Sequence, residues 1–148
     1  MIENRVYREI IEILKKYFLD KDYKLVLLFG SFAKGDFHSF SDVDIAVWIE
    51  KDEIENKIDL NLELEEILGK KVDIVNLKDL FKKDSLLSYE IAINHIPIKI
   101  ADEELYIDFK SKSYLYYFDR KPLYKMIDKA FKERIEKDDI AKVTKIRR

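Results

Sequence analysis

The sequence predicts an α/β fold, on three observations. Strand-length apolar runs recur at Leu25–Phe29, Asp42–Ile49 and Lys71–Val75, helical stripes lie around them, and glycines or polar turns divide one segment from the next. Leu25–Phe29 is apolar throughout and stopped by Gly30, which suits a central strand buried on both faces. In Asp42–Ile49, Val43, Ile45, Val47 and Ile49 instead alternate with Asp42, Asp44, Ala46 and Trp48, so a period of two sets both aspartates on one face.

Each element has its own signal. Residues 3–19 carry Val6, Ile10, Ile13, Leu14, Tyr17 and Phe18 at helical spacing, and Lys21-Asp22 makes a short turn into the first strand. Ser31–Lys34 is expected to form about one helical turn ended at Gly35, followed by a loop into Ser41. A helix over Asp52–Leu68 is expected, with Ile54, Ile58, Leu60, Leu64, Ile67 and Leu68 making a broad apolar face and Gly69 as its stop. In Lys71–Val75, Val72 and Ile74 face one way and Asp73 the other. Asp84 or Ser85 caps a helix to about Asn94, and His95–Ile100 reads as an edge strand because Pro97 cannot donate to a ladder. Asp102 caps a helical pattern to about Asp119, which Pro122 is expected to interrupt or kink before the spacing resumes at Leu123, Met126, Ile127, Phe131 and Ile135.

Composition narrows the function. At 148 residues the chain has the size of one domain with a real core. Charged residues make up 39% of it yet sum to only −2, which argues against direct nucleic-acid binding, since that calls for a basic excess. No run approaches the roughly 20 apolar residues of a membrane span. Met1–Val6 lacks a basic start followed by an apolar stretch, so no leader is expected and the location is read as cytoplasmic. There is no cysteine and only His38 and His95, which makes a zinc site a poor fit.

The chemistry concentrates between residues 30 and 44. Two carboxylates on neighbouring same-face positions repel each other, and folding alone gives no reason to set them at the head of an apolar strand. A hard cation resolves the conflict: Mg²⁺ takes one or two protein carboxylates and fills its octahedron with water and substrate phosphates. Gly30 lets backbone approach a ligand closely, and Ser31 offers a hydroxyl and free N–H groups to an anion. Asp73 is the well-placed candidate for a third carboxylate.

Gly30-Ser31, ten intervening residues including Ala33, Lys34, Gly35 and Ser41, then Asp42-Val43-Asp44, resembles the signature of minimal nucleotidyltransferases of the polymerase-beta type. Within that group the chain looks like the MntA antitoxins that accompany HEPN-domain toxins, and the likeness extends over the Ile96–Ile100 strand and the helical tail with Tyr117, Asp119 and Leu123. The resemblance implies a small mixed β-sheet with helices mainly on one face, and C-terminal helices. It implies one domain over 1–148, with a catalytic core at about 20–100, a helical region at about 102–138 and a basic tail at 139–148. It further implies ATP as substrate and two Mg²⁺ ions, with Mn²⁺ as an alternative. Asp42 and Asp44 would ligate both ions. Asp73 would complete the site and accept the proton of the attacking hydroxyl. Gly30, Ser31, Lys34 and Ser41 would meet the nucleotide; Lys34 stands where relatives more often carry arginine and acts as a point charge. The implied function is transfer of AMP to a tyrosine of a HEPN ribonuclease toxin, the partner, in a hetero-oligomer with it or as a homodimer. Two alternatives remain at this stage: neutralisation by occlusion alone, and transfer to a small molecule or RNA end.

Overall fold

The computed structural model describes residues 2–35, 42–51 and 54–145. Helix α1 (Ile2–Leu19) buries Ile10, Leu14 and Phe18, a stripe at successive spacings of four, and Phe18 meets Tyr17 and Tyr23 edge-on. Beyond its last turn, Lys21 N donates to Phe18 O at 3.2 Å; the Lys99 ammonium donates to the same carbonyl at 3.0 Å and to Lys21 O, tying the helix end to the far edge of the sheet. Strand β1 (Leu25–Phe29) is followed by α2 (Ser31–Lys34), one turn closed by Gly35 at φ 73°. Then come β2 (Val43–Val47), α3 (Ile54–Leu68), β3 (Val72–Asn76), the one-turn α4 (Leu80–Lys83), α5 (Ser85–Ile93), β4 (Ile96–Ile100) and α6 (Glu103–Lys145). The two expected caps are in place: Asp84 accepts from Leu87 N at 3.1 Å and Asp102 from Leu105 N at 3.0 Å.

The strands form a mixed sheet in the order β3-β2-β1-β4. β1 lies antiparallel to both β2 and β4, and β2 parallel to β3. All-apolar β1 is central, and proline-bearing β4 is at an edge, as their compositions require. Alternation along the strands divides the core in two. Val26, Leu28, Val43, Ile45 and Val72 pack on one face under α1 and α3, while Leu25, Leu27 and Ala46 pack on the other under Leu80, Ile91 and Phe109 from α4, α5 and α6. Fully burying one such Leu or Phe contributes about 1.5–3 kcal/mol. The expected mixed α/β sheet is observed; the helices divide between its faces, because β1 and β2 are apolar on both sides and each side needs a cover.

A buried pair of hydroxyls, Ser88 and Ser113 at 2.6 Å, fixes α5 against α6. Farther along, Phe81 meets Tyr116 edge-on and Tyr89 stacks on Tyr117 with ring centroids 3.8 Å apart. Of the two expected outcomes at Pro122, an interruption is not observed: α6 runs on through it. It removes one N–H donor, but the residue is exposed, so solvent takes up the freed Phe118 carbonyl. Among the described residues no helix is long and apolar enough to cross a membrane.

Candidate active site

The end of the sheet where β1 stops and β2 and β3 start collects the acidic side chains. Val43 N donates to Lys71 O at 2.9 Å, which starts the parallel pairing one residue ahead of β3 and sets Asp44 beside Asp73. Across β2, Asp44 pairs with Phe29, the residue before Gly30. Adjacent strands lie about 4.8 Å apart, so the two carboxylates leave neighbouring backbones on the same face. Asp42 precedes β2 at the same parity.

Asp44 is half-buried, whereas Asp42 and Asp73 are exposed. Burial first, then the charge of Asp73, then that of Asp42 push the Asp44 carboxyl up to about 6. The three are electrostatically one group, and a cation among them would remove the repulsion. Their oxygen-only donors suit a hard divalent ion. Among the described residues, however, no three Asp, Glu or His side chains are gathered around a single point; like charges oppose that closure.

Gly30 serves this site in a way that its sequence position does not announce. Its φ is +75°, and a Cβ built there would lie 2.1 Å from Asp44 Oδ2. Any side chain at residue 30 therefore collides with the carboxylate and adopts a strained backbone. The open side of the glycine is filled by Asp44, a nonlocal contact that only the β1–β2 register creates. Gly30 also opens α2 without a side-chain cap, leaving the first-turn N–H groups to other acceptors. Buried Phe32 anchors that turn in the first core, so Ser31 is half-buried at its start and Lys34 exposed at its end. Ser41 lies outside the described residues.

The one described histidine is not part of this cluster. His95 Nδ1 meets the Ile91 carbonyl at 2.7 Å and must donate to it, so Nε2 accepts from the Tyr106 hydroxyl, also at 2.7 Å. Burial lowers its pKa and keeps it neutral. Its role is to join the end of α5 to α6.

Comparison with known proteins assigns the chain to a family. A candidate protein adenylyltransferase of Methanocaldococcus jannaschii is 33% identical over 93 residues, 61% of this chain and 96% of that protein. A chain of a toxin–antitoxin complex with AMP-PNP superposes with a TM-score of 0.64 at 23% identity, covering 88% of this chain and 99% of its own. A chain of a tri-AMPylated Shewanella oneidensis HEPN toxin in complex with an MNT antitoxin gives 0.60 at 20% identity, over 87% and 98%. At such identities the two structures speak for the fold. Residues 8–104, which carry the whole sheet and every described aspartate of the cluster, match the family described as Polymerase beta, Nucleotidyltransferase, and the chain belongs to that family of nucleotidyl-transferring enzymes.

Proposed function

We infer that this chain is an antitoxin adenylyltransferase that moves AMP from ATP to a tyrosine of a HEPN ribonuclease toxin. The observation that carries the reading is the half-buried Asp44, pressed against the bare backbone of Gly30 and charge-coupled to Asp73 and Asp42. The name of the Methanocaldococcus relative and the solved toxin–antitoxin complexes support the acceptor and the partner.

In the reaction the tyrosine oxygen attacks the α-phosphorus of ATP. A new phosphodiester forms, the bond to the leaving pyrophosphate breaks, and the hydroxyl proton leaves with a base. Negative charge grows on the entering and leaving oxygens, so positioning and charge stabilisation dominate. Divalent ions, two Mg²⁺ or Mn²⁺, neutralise that charge when bound. Asp42 and Asp44 would hold them, with Asp73 as the third carboxylate and the acceptor of the tyrosine proton. The backbone N–H groups of the turn after Gly30, with Ser31, Lys34 and Ser41, orient the triphosphate. The added AMP brings bulk and negative charge near the toxin's active site and hinders its RNA. The chain works as one domain in the cytoplasm, with no nucleic acid of its own to bind.

Incubating the protein with α-labelled ATP, Mg²⁺ and the HEPN toxin sought beside its gene tests this directly. Label is expected on a toxin tyrosine, with Asp42→Asn lowering it on the order of 10³-fold. An unlabelled toxin, with wild type and variant alike, rejects the reading. Neutralisation that survives loss of both Asp42 and Asp44 assigns the protein to occlusion instead.

A further inference from the structure

Strand β3 forms one edge of the sheet, so only its inner side has a partner strand. Val43 N donates to Lys71 O at 2.9 Å and Leu77 N to Val47 O at 2.9 Å, so the odd-numbered residues along β3 turn their backbone groups toward β2. The N–H of Val72 therefore points outward, where an edge strand leaves its donors open. Glu65, in the last turn of α3, accepts it through Oε1 at 3.2 Å. The Glu65 carbonyl meanwhile accepts from Gly69 N at 2.8 Å at the helix end. One glutamate thus closes the connection between α3 and the first residue of β3.

That residue stands directly before Asp73. The far end of β3 has its own clamp in the Asn76 amide, which accepts from Ile49 N at 3.0 Å and donates to Ile49 O at 3.2 Å. At the aspartate end the strand is gripped by β2 on its inner side and by Glu65 on its outer side. Val72 packs in the core under α1 and α3, so alternation turns Asp73 to the opposite face. Glu65 reaches the strand from the α3 side and bonds its backbone. Nor is it among the charges that act on Asp44, which are those of Asp73 and Asp42. Its influence on the cluster is one of place rather than of charge.

We propose that Glu65 is the positioning residue for Asp73: by holding the Val72 N–H it fixes where β3 begins and hence where the third carboxylate stands. This rests on the function inferred above. An edge strand held on one side alone frays at its end, and a carboxylate that strays from the geometry of the reaction costs rate steeply. The triphosphate is assigned to the turn after Gly30, on the other side of the site, so the loss falls on kcat and on the divalent ion rather than on the KM for ATP.

The test uses the full chain with three substitutions. Glu65→Ala removes the acceptor, Glu65→Gln keeps a carbonyl oxygen at the same reach without the charge, and Glu65→Asp keeps the charge on a shorter arm. In the labelling assay with the toxin, Glu65→Ala and Glu65→Asp are expected to lower kcat on the order of tenfold with the KM for ATP retained, and Glu65→Gln to stay within about twofold of wild type. Mn²⁺ affinity, read by electron paramagnetic resonance with a non-hydrolysable ATP analogue, is expected to fall in the same order. With Asp73→Asn already present, Glu65→Ala is expected to cost no more than about a further twofold in kcat, since the group it positions has gone. Should circular dichroism show Glu65→Ala unfolded, Glu65→Gln against Glu65→Asp decides.

Where the wild type labels the toxin, kcat is the deciding readout. A kcat indifferent to loss of the acceptor overturns the proposal while leaving adenylyl transfer intact. So does Glu65→Gln as impaired as Glu65→Ala, which assigns a role by charge, or a full tenfold loss on top of Asp73→Asn, which assigns a general effect on the fold. A wild type that leaves the toxin unlabelled rejects adenylyl transfer, and the Mn²⁺ series then decides on Glu65 in the same terms. A wild type that neither labels the toxin nor binds Mn²⁺ overturns both.

Discussion

The aspartate end of the sheet and the outer half of α6 are built on opposite terms. At the first, every position is fixed by something remote in sequence: Asp44 by Phe29 and Asp73 across two ladders, and Gly30 by the carboxylate it must admit. At the second, residues 125–136 are all exposed and are set by helical periodicity. Chemistry needs the rigid arrangement, because a misplaced ligand or phosphate costs rate steeply.

The contrast breaks down or sharpens under substitution. The largest change in stability is expected from the sheet beneath the site. Leu28→Ala, in the fully buried central strand, is expected to cost about 3 kcal/mol in chemical unfolding. A cost below about 1 kcal/mol means that the sheet is not the rigid support described. Gly30→Ala comes next. Its methyl overlaps Asp44 Oδ2, so transfer is expected to fall on the order of 10²-fold in kcat, and full activity means that the carboxylate is free to move away.

The pH dependence of stability is smaller. Asp44 holds its proton up to about 6 when folded, against an ordinary value of 3.8. Between those values the folded state binds more protons than the unfolded, so stability falls as pH rises across that window. After discounting for solvent screening the fall is about 1–2 kcal/mol without added metal, and Asp44→Asn is expected to abolish it in urea titrations at pH 4 and 7. A slope of the opposite sign means that Asp44 is stabilised as a carboxylate by partners other than a metal. Least is expected of Ile127→Ala, which should change stability by under about 0.5 kcal/mol; a loss above about 1 kcal/mol shows that this side chain is already packed within the chain.

The same contrast explains what was legible in the sequence. Local signals read well: β4 at an edge from Pro97, and helix starts from Asp84 and Asp102, because each depends on a few consecutive residues. The aspartate pair was legible from alternation, and Asp73 from its oddity in an apolar strand. The contact of Gly30 with Asp44 was not, since both a tight turn and a phosphate cradle also ask for glycine. Coverage of both sheet faces was foreshadowed by all-apolar β1, yet α4 is a single turn and carries almost no periodicity of its own. An interruption at Pro122 was expected from proline's local penalty alone, weighed without knowing that the position is exposed. The apolar spacing on the outer half of α6 was visible, but whether those side chains are buried is a property of the tertiary structure.

The aspartate cluster as a divalent-cation site is tested most directly by Mn²⁺ binding. Electron paramagnetic resonance with a non-hydrolysable ATP analogue would compare wild type with Asp44→Asn, folding being checked by circular dichroism. Mn²⁺ bound by the wild type and largely released from the folded variant is the expected result. Equal binding by the two proteins would contradict it.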